Sequence, residues 1–349
     1  MDVIKSVLQL DLEYLFEGEW PKAKIKQEFS YTESSCTACG ATSFCQVYCK
    51  DAFDFYQCQV CDHIFVSPRL NDAGLNYFYS GHYSREYNKT KFFSPGAEQI
   101  ASAKSDAIRF IEAIHKNINK DSISYCEIGP GGGGIMLSAA LREGFDVSCI
   151  EVGEDCVSSL QNRFGTSINI IYNTLNEKTS IAMERRFDVV TMRDVLEHIP
   201  RPALFLKYIR TILKPGGVFI TQMPNQMGLC YRLVGPRHVC VFGAEHLSYW
   251  TEHSVKASFY QAGLNIKSIT CLGLENDMNS IVSYFKGPPG FTTAYGFEDL
   301  RGDDITELTS EYFTLWNICR KLGGESRLLR FLDMIGIGTE LFVVANRTE

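Results

Sequence analysis

Residues 123–134 combine a short apolar run, an acidic residue and a cluster of glycines. They read Ile-Ser-Tyr-Cys-Glu-Ile-Gly-Pro-Gly-Gly-Gly-Gly, and an amphipathic stretch, 135–142, follows at once. This order predicts a strand, a glycine turn and a helix. Glycines let a backbone approach a ligand that side chains would hold away. The first turn of a helix adds free N–H groups and a positive dipole end. The segment therefore predicts a nucleotide-cofactor site.

The glycines fit two different cofactor motifs. Gly129, Gly131 and Gly134 satisfy the dinucleotide pattern G-x-G-x-x-G. The alternative pattern, E-x-G-x-G-x-G, is formed by Glu127, Gly129, Gly131 and Gly133. Both kinds of site place an acid at the end of the next strand, and here Glu151 follows the apolar run 145–150, in position to bind ribose hydroxyls. The choice between the two cofactors depends on residues further along the chain.

A series of motifs resembles class I S-adenosylmethionine (SAM)-dependent methyltransferases. In chain order they are E-x-G-x-G-x-G at 127–133, Asp-Val-Leu-Glu-His at 194–198, Leu-Lys-Pro-Gly-Gly at 213–217, Pro-Asn at 224–225 and Glu-His-Leu-Ser-Tyr-Trp-Thr at 245–251. The resemblance covers residues 120–272 and is specific because several motifs occur in the right order. A dehydrogenase that uses a dinucleotide is not expected to carry the Leu-Lys-Pro-Gly-Gly turn. The resemblance therefore favours SAM as the cofactor.

The resemblance also implies which residues bind SAM. The glycines approach its methionine part, Glu127 lies beneath that part, and Glu151 binds the ribose hydroxyls. The family often has an acid near the third strand, where this chain has Asn173 instead. Arg193 and Asp194 follow the fourth strand and border the cofactor. The implied cofactor-binding residues are Glu127, Gly129, Gly131, Gly133, Glu151, Asn173, Arg193 and Asp194.

Four residues are candidates for handling the proton of the methyl acceptor. An oxygen or carbon nucleophile generally has to lose a proton, which His, Glu or Tyr can take. Glu245 and His246 follow the fifth strand, on the side where such sheets bind ligands. We therefore assign His246 the role of base and Glu245 that of orienting it. Tyr83 and His198 are further candidates for a base or a substrate contact. For each of them the alternative is a purely structural role in a loop, a linker or a cap.

Strands alternate with helices along the chain, which predicts an α/β fold with a Rossmann-like parallel sheet covered by helices on both faces. The resemblance implies seven strands, of which the seventh is antiparallel and inserts beside the fifth. The predicted strands are 123–128, 146–151, 168–172, 187–192, 217–223, 265–271 and 340–346. An insertion at 273–338 precedes the last strand and carries predicted helices at 304–322 and 326–334.

Four N-terminal cysteines have the spacing of a zinc site. The pattern C-x2-C-x18-C-x2-C is formed by Cys36, Cys39, Cys58 and Cys61. This spacing is typical of tetrahedral zinc, and four thiolates leave no open coordination position, so the metal is expected to be structural. Cys45, Cys49 or His63 can replace one ligand in an alternative set. A second alternative is four ordinary buried cysteines.

A zinc lobe before such a domain resembles a narrower group, the methyltransferases of nucleotide-linked sugars and related small molecules. Residues 75–87 also resemble this group, in which the linker leans over the substrate pocket. We expect the zinc lobe and linker at 1–95 and the methyltransferase domain at 96–349, with the boundary in 88–97. The expected activity is O- or C-methylation of a sugar or nucleotide-linked sugar. Alternatives are an RNA-modifying methyltransferase, or an inactive fold that binds a partner through its zinc lobe.

The composition favours a globular protein with a small-molecule substrate. The chain has 349 residues, a net charge of −7 and no run of basic residues, which argues against nucleic acid as the partner. The first 15 residues include Asp2, Asp11 and Glu13, so the sequence predicts neither a signal peptide nor a membrane span. Thirteen cysteines without an export signal favour the reducing cytoplasm.

Overall fold

The computed structural model describes most of the chain on either side of the predicted insertion. The described residues are 2–19, 22–93, 95–228, 231–232, 235–238, 240–272, 336 and 338–348. The two helices predicted within the insertion, at 304–322 and 326–334, lie outside these residues.

The N-terminal region contains a helix and several short antiparallel strands. Its elements are α1 (Asp2–Leu15), β1 (Phe16–Glu17), β2 (Lys24–Ile25), a 3-10 turn (Gln27–Phe29), β3 (Ser30–Tyr31), β4 (Phe44–Lys50), β5 (Phe53–Cys58), β6 (Ile64–Val66) and β7 (Arg69–Leu70). Asp51 and Ala52 join β4 to β5 with φ of 52° and 66°, the left-handed conformation of tight hairpin turns. Because β4, β5 and β6 pair antiparallel in chain order, both cysteine pairs meet at one end of this meander.

Helices connect this lobe to the central sheet. They are α2 (Asp72–Ser80), α3 (His82–Asn88), a π-helical turn (Lys89–Phe93) and α4 (Ala97–Asn117). The side chain of Asn71 caps α2 by accepting a hydrogen bond from Gly74 N at 3.0 Å. The carboxylate of Asp11, which is fully buried in α1, accepts a hydrogen bond from His82 N at 3.2 Å. These two contacts fix the start of α2 and the start of α3.

Alternating strands and helices follow, as the sequence predicts. They are β8 (Ser124–Ile128), α5 (Ile135–Arg142), β9 (Asp146–Glu151), α6 (Glu154–Phe164), β10 (Asn169–Tyr172), α7 (Glu177–Ala182), β11 (Phe187–Arg193), a 3-10 turn (Leu196–His198), α8 (Pro202–Ile212), β12 (Leu213–Pro224), a 3-10 turn (Gly235–Arg237), β13 (Ser248–Tyr249), α9 (Glu252–Ala262), β14 (Leu264–Leu272) and β15 (Glu340–Arg347). Among the described residues, no helix has both the length and the apolar character needed to cross a membrane.

Seven of these strands form one sheet in the order β10-β9-β8-β11-β12-β15-β14. The pairings among β8 to β12 are parallel, and β15 runs antiparallel between β12 and β14. This confirms the predicted seven-stranded sheet with an antiparallel last strand beside the fifth. Residues 187–192 of β11 are all buried, because helices cover both faces of a largely parallel sheet.

The Leu-Lys-Pro-Gly-Gly segment belongs to the sheet. We predicted a turn here, but α8 ends at Ile212 and Leu213 already pairs with Phe187. The register then shifts before Val189 pairs with Val218. The segment therefore forms an irregular, bulged beginning of β12, with the extra residues accommodated as in other β-bulges.

The carboxyl ends of the parallel strands meet at one edge of the sheet. Gly129 follows β8, Glu151 ends β9 and Arg193 ends β11, and β8 lies between the other two strands. Ligands of open α/β sheets bind at this edge, where the strand order reverses. The residues predicted to bind the cofactor are therefore neighbours in space.

The N-terminal lobe shares a sheet and a core with the rest of the molecule. Strand β13 pairs with β6 and completes a four-stranded sheet in the order β13-β6-β5-β4. One hydrophobic cluster contains Phe65 of β6 together with Trp250 and Phe259. The loop that precedes β13 is therefore anchored on the lobe.

Candidate active site

The glycine loop between β8 and α5 has a backbone that favours glycine. Gly129 and Gly131 have φ of 66° and 62°. A Cβ atom at Gly129 would lie 2.7 Å from Val195, and one at Gly131 would lie 2.6 Å from the Phe92 ring. Dihedral angle and space thus both exclude larger residues at these two positions. At Gly133 no other group of the described structure lies within 4 Å of the Cβ position, which leaves room for a ligand.

Glu151 ties the glycine loop to the turn after β9. Its Oε2 accepts a hydrogen bond from Gly131 N at 3.0 Å, and its Oε1 accepts hydrogen bonds from Val152 N and Gly153 N, both at 2.8 Å. Burial raises the pKa of Glu151, and the three N–H groups oppose this rise. A carboxylate offers about four acceptor sites, so these bonds leave capacity for a ribose hydroxyl. The same carboxylate thus shapes the glycine loop.

Glu127 carries a buried oxygen at the end of β8. The residue is 7% exposed, and its Oε2 has no hydrogen-bond partner among the described residues. Burial raises the pKa of Glu127 to about 8; the charge of Arg193 opposes the rise and that of Glu151 adds to it. A buried polar group without a partner costs free energy. The ammonium group of a bound SAM would supply both the missing donor and a positive charge, so this position fits the cofactor.

Arg193, Asp194 and Asn173 border the same edge through different contacts. Arg193 Nη1 donates a hydrogen bond to Asp106 of α4 at 2.7 Å, and Arg193 Nε lies 3.6 Å from Asp194 Oδ2. Asp194 has a φ of 53°, which turns the chain directly after β11. Asn173 is exposed and donates its backbone N–H to Glu151 O at 3.2 Å. Arg193 is the last residue of β11 and joins α4 to the sheet edge, and the cofactor contacts expected of all three residues stay predictions.

Two histidines from different loops face each other beyond this edge. His198 follows β11, His246 precedes β13, and their ring centroids lie 4.7 Å apart at 89°. His198 Nδ1 lies 2.9 Å from Glu245 O and 3.1 Å from the Tyr79 hydroxyl. Because a carbonyl oxygen can only accept, Nδ1 carries the hydrogen and Nε2 presents its lone pair. That Nε2 lies 3.8 Å from Glu197 Oε1. The structure thus brings together three of the four residues predicted to handle a proton, with Glu245 in contact through its carbonyl oxygen.

Both imidazoles are held uncharged at neutral pH. Burial lowers the pKa of His198, although the charge of Glu245 opposes this. Burial also lowers the pKa of His246 well below its ordinary value, and His198 and Lys91 add to the lowering. A neutral imidazole has a nitrogen lone pair that can take a proton or bind a metal ion. The histidine pair is therefore available for either kind of chemistry.

Glu245 contributes its main chain to the site. Its carbonyl oxygen accepts the hydrogen bond from His198, and the Tyr79 hydroxyl donates to the same oxygen at 3.4 Å. The residue is 9% exposed. From the sequence we expected the Glu245 carboxylate to orient the imidazole of His246, and that role stays a prediction. Orientation of His198 by the backbone is a contact that residue types alone do not reveal.

Tyr79 is a site residue that the sequence analysis did not select. It lies near the end of α2, is 40% exposed, and contacts His198, which is 119 positions away in the chain. The sequence feature that could have indicated Tyr79 is the aromatic run Leu-Asn-Tyr-Phe-Tyr at 75–79. Tyr83, which was selected, lies in α3, and its side chain falls outside the described part of the structure.

The π-helical turn Lys89–Phe93, which we call the strap, lies on the glycine loop. A Cβ atom added at Gly131 would lie 2.6 Å from the Phe92 ring, and one added at Gly132 would lie 2.4 Å from the Phe93 ring. Both rings therefore pack directly on the loop backbone. Glycine is required at Gly131 for this reason as well as for its φ. The strap lies in the segment that the sequence predicted as a linker.

Lys91 of the strap interacts with the loops beyond the sheet edge. Its Nζ lies 5.0 Å from the centroid of the Tyr87 ring. Burial would lower the pKa of Lys91, but Tyr87, Asp194 and Glu245 outweigh this effect and raise it. The strap therefore packs on the glycine loop through its aromatic rings, and its ammonium group interacts electrostatically with carboxylates of the histidine-bearing loops.

The four predicted zinc ligands lie together. The sulfur atoms of Cys36 and Cys61 are 3.7 Å apart, those of Cys39 and Cys58 are 3.5 Å apart, and all four lie within 4.8 Å of one another. Tetrahedral zinc with Zn–S bonds of about 2.3 Å places its sulfur ligands about 3.8 Å apart. The cluster therefore fits a zinc ion.

The alternative zinc ligands lie elsewhere. Cys45 and Cys49 are exposed on β4, outside the sulfur cluster. His63 is fully buried, with its Nε2 3.1 Å from Thr37 Oγ1 and its ring centroid 4.5 Å from that of Trp250. His63 therefore packs against Trp250 and is not part of the sulfur cluster, so the geometry favours the set of four cysteines.

Comparison with known proteins identifies a methyltransferase domain in this chain. Residues 97–269 match a family model described as "Methyltransferase domain". The ubiquinone biosynthesis O-methyltransferase of Pseudomonas fluorescens strain Pf-5 is 27% identical over 178 residues, covering 49% of this chain and 75% of that protein. The protein of the same name from Acinetobacter baumannii strain AYE is 33% identical over 113 residues, covering 31% of this chain and 48% of that one.

Two solved structures of methyltransferases are among those similar to this chain. A SAM-dependent methyltransferase from Archaeoglobus fulgidus is 16% identical, covers 76% of this chain and all of its own, and has a TM-score of 0.46. One from Clostridium acetobutylicum is 12% identical, covers 76% and 98%, and has a TM-score of 0.42. The fold is established by the strand order of the chain itself. The family match over residues 97–269, the named relatives and the seven-stranded sheet together show that the chain contains a class I SAM-dependent methyltransferase domain.

Proposed function

We propose that this enzyme transfers the methyl group of SAM to a small hydroxylated molecule. The observation that carries the proposal is the position of the His198–His246 pair beyond the sheet edge that also holds Glu127 and Glu151. The relatives named above act in ubiquinone biosynthesis as O-methyltransferases, which supports transfer to oxygen. A sugar or nucleotide-linked sugar is the narrower substrate class we propose, because the cysteine lobe and its linker resemble methyltransferases of that group.

The residues of the sheet edge are proposed to hold SAM. Glu127 would face its ammonium group, Gly129 and Gly131 would let its methionine part approach the backbone, and Glu151 would accept from a ribose hydroxyl. SAM supplies an activated methyl group on a sulfonium, so the protein has to provide position and electrostatics. Asn173, next to Glu151, is proposed to border the adenine.

The histidine pair is proposed to contact the acceptor. A hydroxyl must lose its proton during methylation, and a neutral imidazole can promote this by taking the proton or by ligating a cation that binds the oxygen. Tyr79, which contacts His198, would line the same pocket. His246→Ala should leave SAM affinity nearly unchanged while turnover falls by about 10²–10⁴. His115→Ala is the matched control, since His115 is half-exposed and pairs with Glu143 on the surface.

The decisive experiment measures cofactor binding and turnover separately. Calorimetry should show SAM or S-adenosylhomocysteine binding in the micromolar range, about −8 kcal/mol. A panel of nucleotide-linked sugars, free sugars and dihydroxyaromatic compounds should then be tested for formation of S-adenosylhomocysteine. Binding of NAD without binding of SAM would overturn the proposal. Tight SAM binding with no turnover on any of these acceptors would favour the alternative of a protein that binds a partner without catalysis.

We further propose that the four-cysteine cluster holds a structural zinc. The sulfur spacing supports four thiolate ligands, and these would leave no coordination position for a substrate. Elemental analysis should find one zinc per chain in the wild type and much less in Cys36→Ser. A metal-free protein with the same unfolding midpoint as the zinc-supplemented one would contradict this proposal.

A further inference from the structure

The contacts of His198 leave two acceptor atoms facing each other. Its Nδ1 hydrogen is directed to Glu245 O at 2.9 Å, so Nε2 has only a lone pair to present. The nearest carboxylate atom to it is Glu197 Oε1 at 3.8 Å. Two acceptors cannot bind each other unless a proton or a cation lies between them, and 3.8 Å is too long for a direct hydrogen bond. A cation between them would satisfy both atoms.

Glu197 is itself a buried and unsatisfied group. It is 1% exposed, and its Oε2 has no hydrogen-bond partner in the described part of the chain. Asp194 and Glu245 add negative charge around it, while Lys91 supplies one positive charge. A divalent cation at this position would supply the partner that the buried carboxyl group lacks.

We infer that Glu197, His198 and His246 form a binding site for a divalent metal ion, separate from the cysteine cluster. Each of the three residues offers one ligand atom, and these atoms lie within 4.8 Å of one another. Bonds of about 2.1 Å in a tetrahedral site would place the ligands about 3.4 Å apart, so a small contraction completes the site. Two imidazoles and a carboxylate suit Mn²⁺, Fe²⁺, Co²⁺ or Zn²⁺, in contrast to the soft thiolates of the lobe.

Three protein ligands leave coordination positions for an oxygen of the acceptor. A cation that binds a hydroxyl oxygen lowers the pKa of that hydroxyl, and the proton can then pass to water at the side where Tyr79 is partly exposed. An acceptor with two adjacent hydroxyls could occupy two positions and be held more firmly. This inference rests on the proposed function and gives His246 the task of a ligand, so that the cation promotes loss of the proton that a base would otherwise take.

Titration of the full-length protein with Mn²⁺ tests the site. Mn²⁺ prefers oxygen and nitrogen ligands and does not displace zinc from thiolates, so its electron paramagnetic resonance signal reports this site alone. The wild type should bind one Mn²⁺ per chain. His246→Ala and Glu197→Gln should each weaken binding by about tenfold or more, whereas His115→Ala should bind as the wild type does. Equal binding by all four proteins, or no binding by the wild type, would overturn the inference.

Two features keep this test clear. If Glu197→Gln fails to fold, His246→Ala decides the outcome, because His246 is only partly buried. Mn²⁺ binding is measured without methyl transfer, so the two proposals can fail independently. Full turnover of an accepted substrate by chelator-treated enzyme that retains its zinc would overturn the metal site and leave the proposed function standing. Metal binding without turnover on any acceptor would support the metal site and overturn the proposed function.

Discussion

Phe65 of the cysteine lobe pairs with Ser248, which lies two residues after His246. The pairing is reinforced by a hydrogen bond from Val66 N to Leu247 O at 3.2 Å. On its other side the same loop is held by a hydrogen bond from Leu247 N to Glu197 O at 2.8 Å. The histidine loop is therefore clamped between the lobe sheet and the turn that follows β11. A change that loosens the lobe should therefore increase the motion of the loop that carries His246 more than that of the glycine loop.

Cys58→Ser should loosen the histidine loop while leaving the cofactor site largely intact. Cys58 ends β5, the strand that pairs with β6, so loss of its sulfur from the cluster weakens the sheet that β13 joins. Amide hydrogen exchange at 247–249 should speed up markedly, and SAM affinity should change less than about threefold. Cys45→Ser is the control, because Cys45 is exposed and outside the cluster. Equal exchange in both variants would contradict this coupling.

Local sequence patterns predicted the strands and the glycine loop, and the resemblance to methyltransferases implied the place of the last strand in the sheet. β9 begins and ends where predicted, and the glycines at 129 and 131 adopt positive φ, because strand periodicity and glycine turns are encoded within short windows. The contact between Tyr79 and His198 joins residues 119 positions apart, and no local pattern encodes it. The role of the Glu245 carbonyl belongs to the main chain, so it has no residue-type signature. The strap was not predicted because its sequence resembles that of an ordinary linker. Only the structure shows that the rings of Phe92 and Phe93 pack on the glycine loop.

Glu151→Gln should weaken SAM binding and loosen the glycine loop together. The carboxylate accepts three backbone hydrogen bonds, including one from Gly131, and an amide can replace only part of this acceptor capacity. We expect SAM affinity to fall by about tenfold or more, as for lost hydrogen bonds to a charged group. Calorimetry measures the affinity, and amide exchange at 129–133 reports the loop. Glu154→Gln, at the exposed start of α6, is the control. Unchanged affinity in Glu151→Gln would remove this residue from the cofactor site.

Phe92→Ala should speed the exchange of SAM with solvent. The Phe92 ring rests on Gly131, where the methionine part of the cofactor is expected, so the strap has to move for SAM to pass or to settle. Removing the ring should raise both the association and the dissociation rate, as expected when a gating loop is loosened. Stopped-flow binding of SAM measures both rates. Phe93→Ala is the comparison, because Phe93 rests on Gly132 and is more exposed. An increase in the dissociation rate alone would indicate a simple packing contact instead of a gate.

Glu127→Gln should change how stability depends on pH. In the folded protein burial raises the pKa of Glu127 to about 8, whereas the ordinary value is 4.5. The folded state therefore holds the proton more tightly than the unfolded state, and the wild type loses stability as pH rises from about 4.5 to about 8. The loss levels off above that range and amounts to a few kcal/mol at about 1.4 kcal/mol per pKa unit. Glutamine does not titrate, so the variant should lack this part of the pH dependence.

Denaturant unfolding at a series of pH values between 5 and 9.5 measures this difference. The free energy of unfolding of Glu127→Gln should exceed that of the wild type by a margin that grows with pH up to about 8 and then stays constant. Glu112→Gln, an exposed position of α4, controls for the loss of one carboxylate. S-adenosylhomocysteine carries an ammonium group, so its binding should lower the pKa of Glu127 and flatten the pH dependence of the wild type. The same dependence with and without this ligand would place its ammonium group away from Glu127 and require a different orientation of the cofactor in the glycine loop.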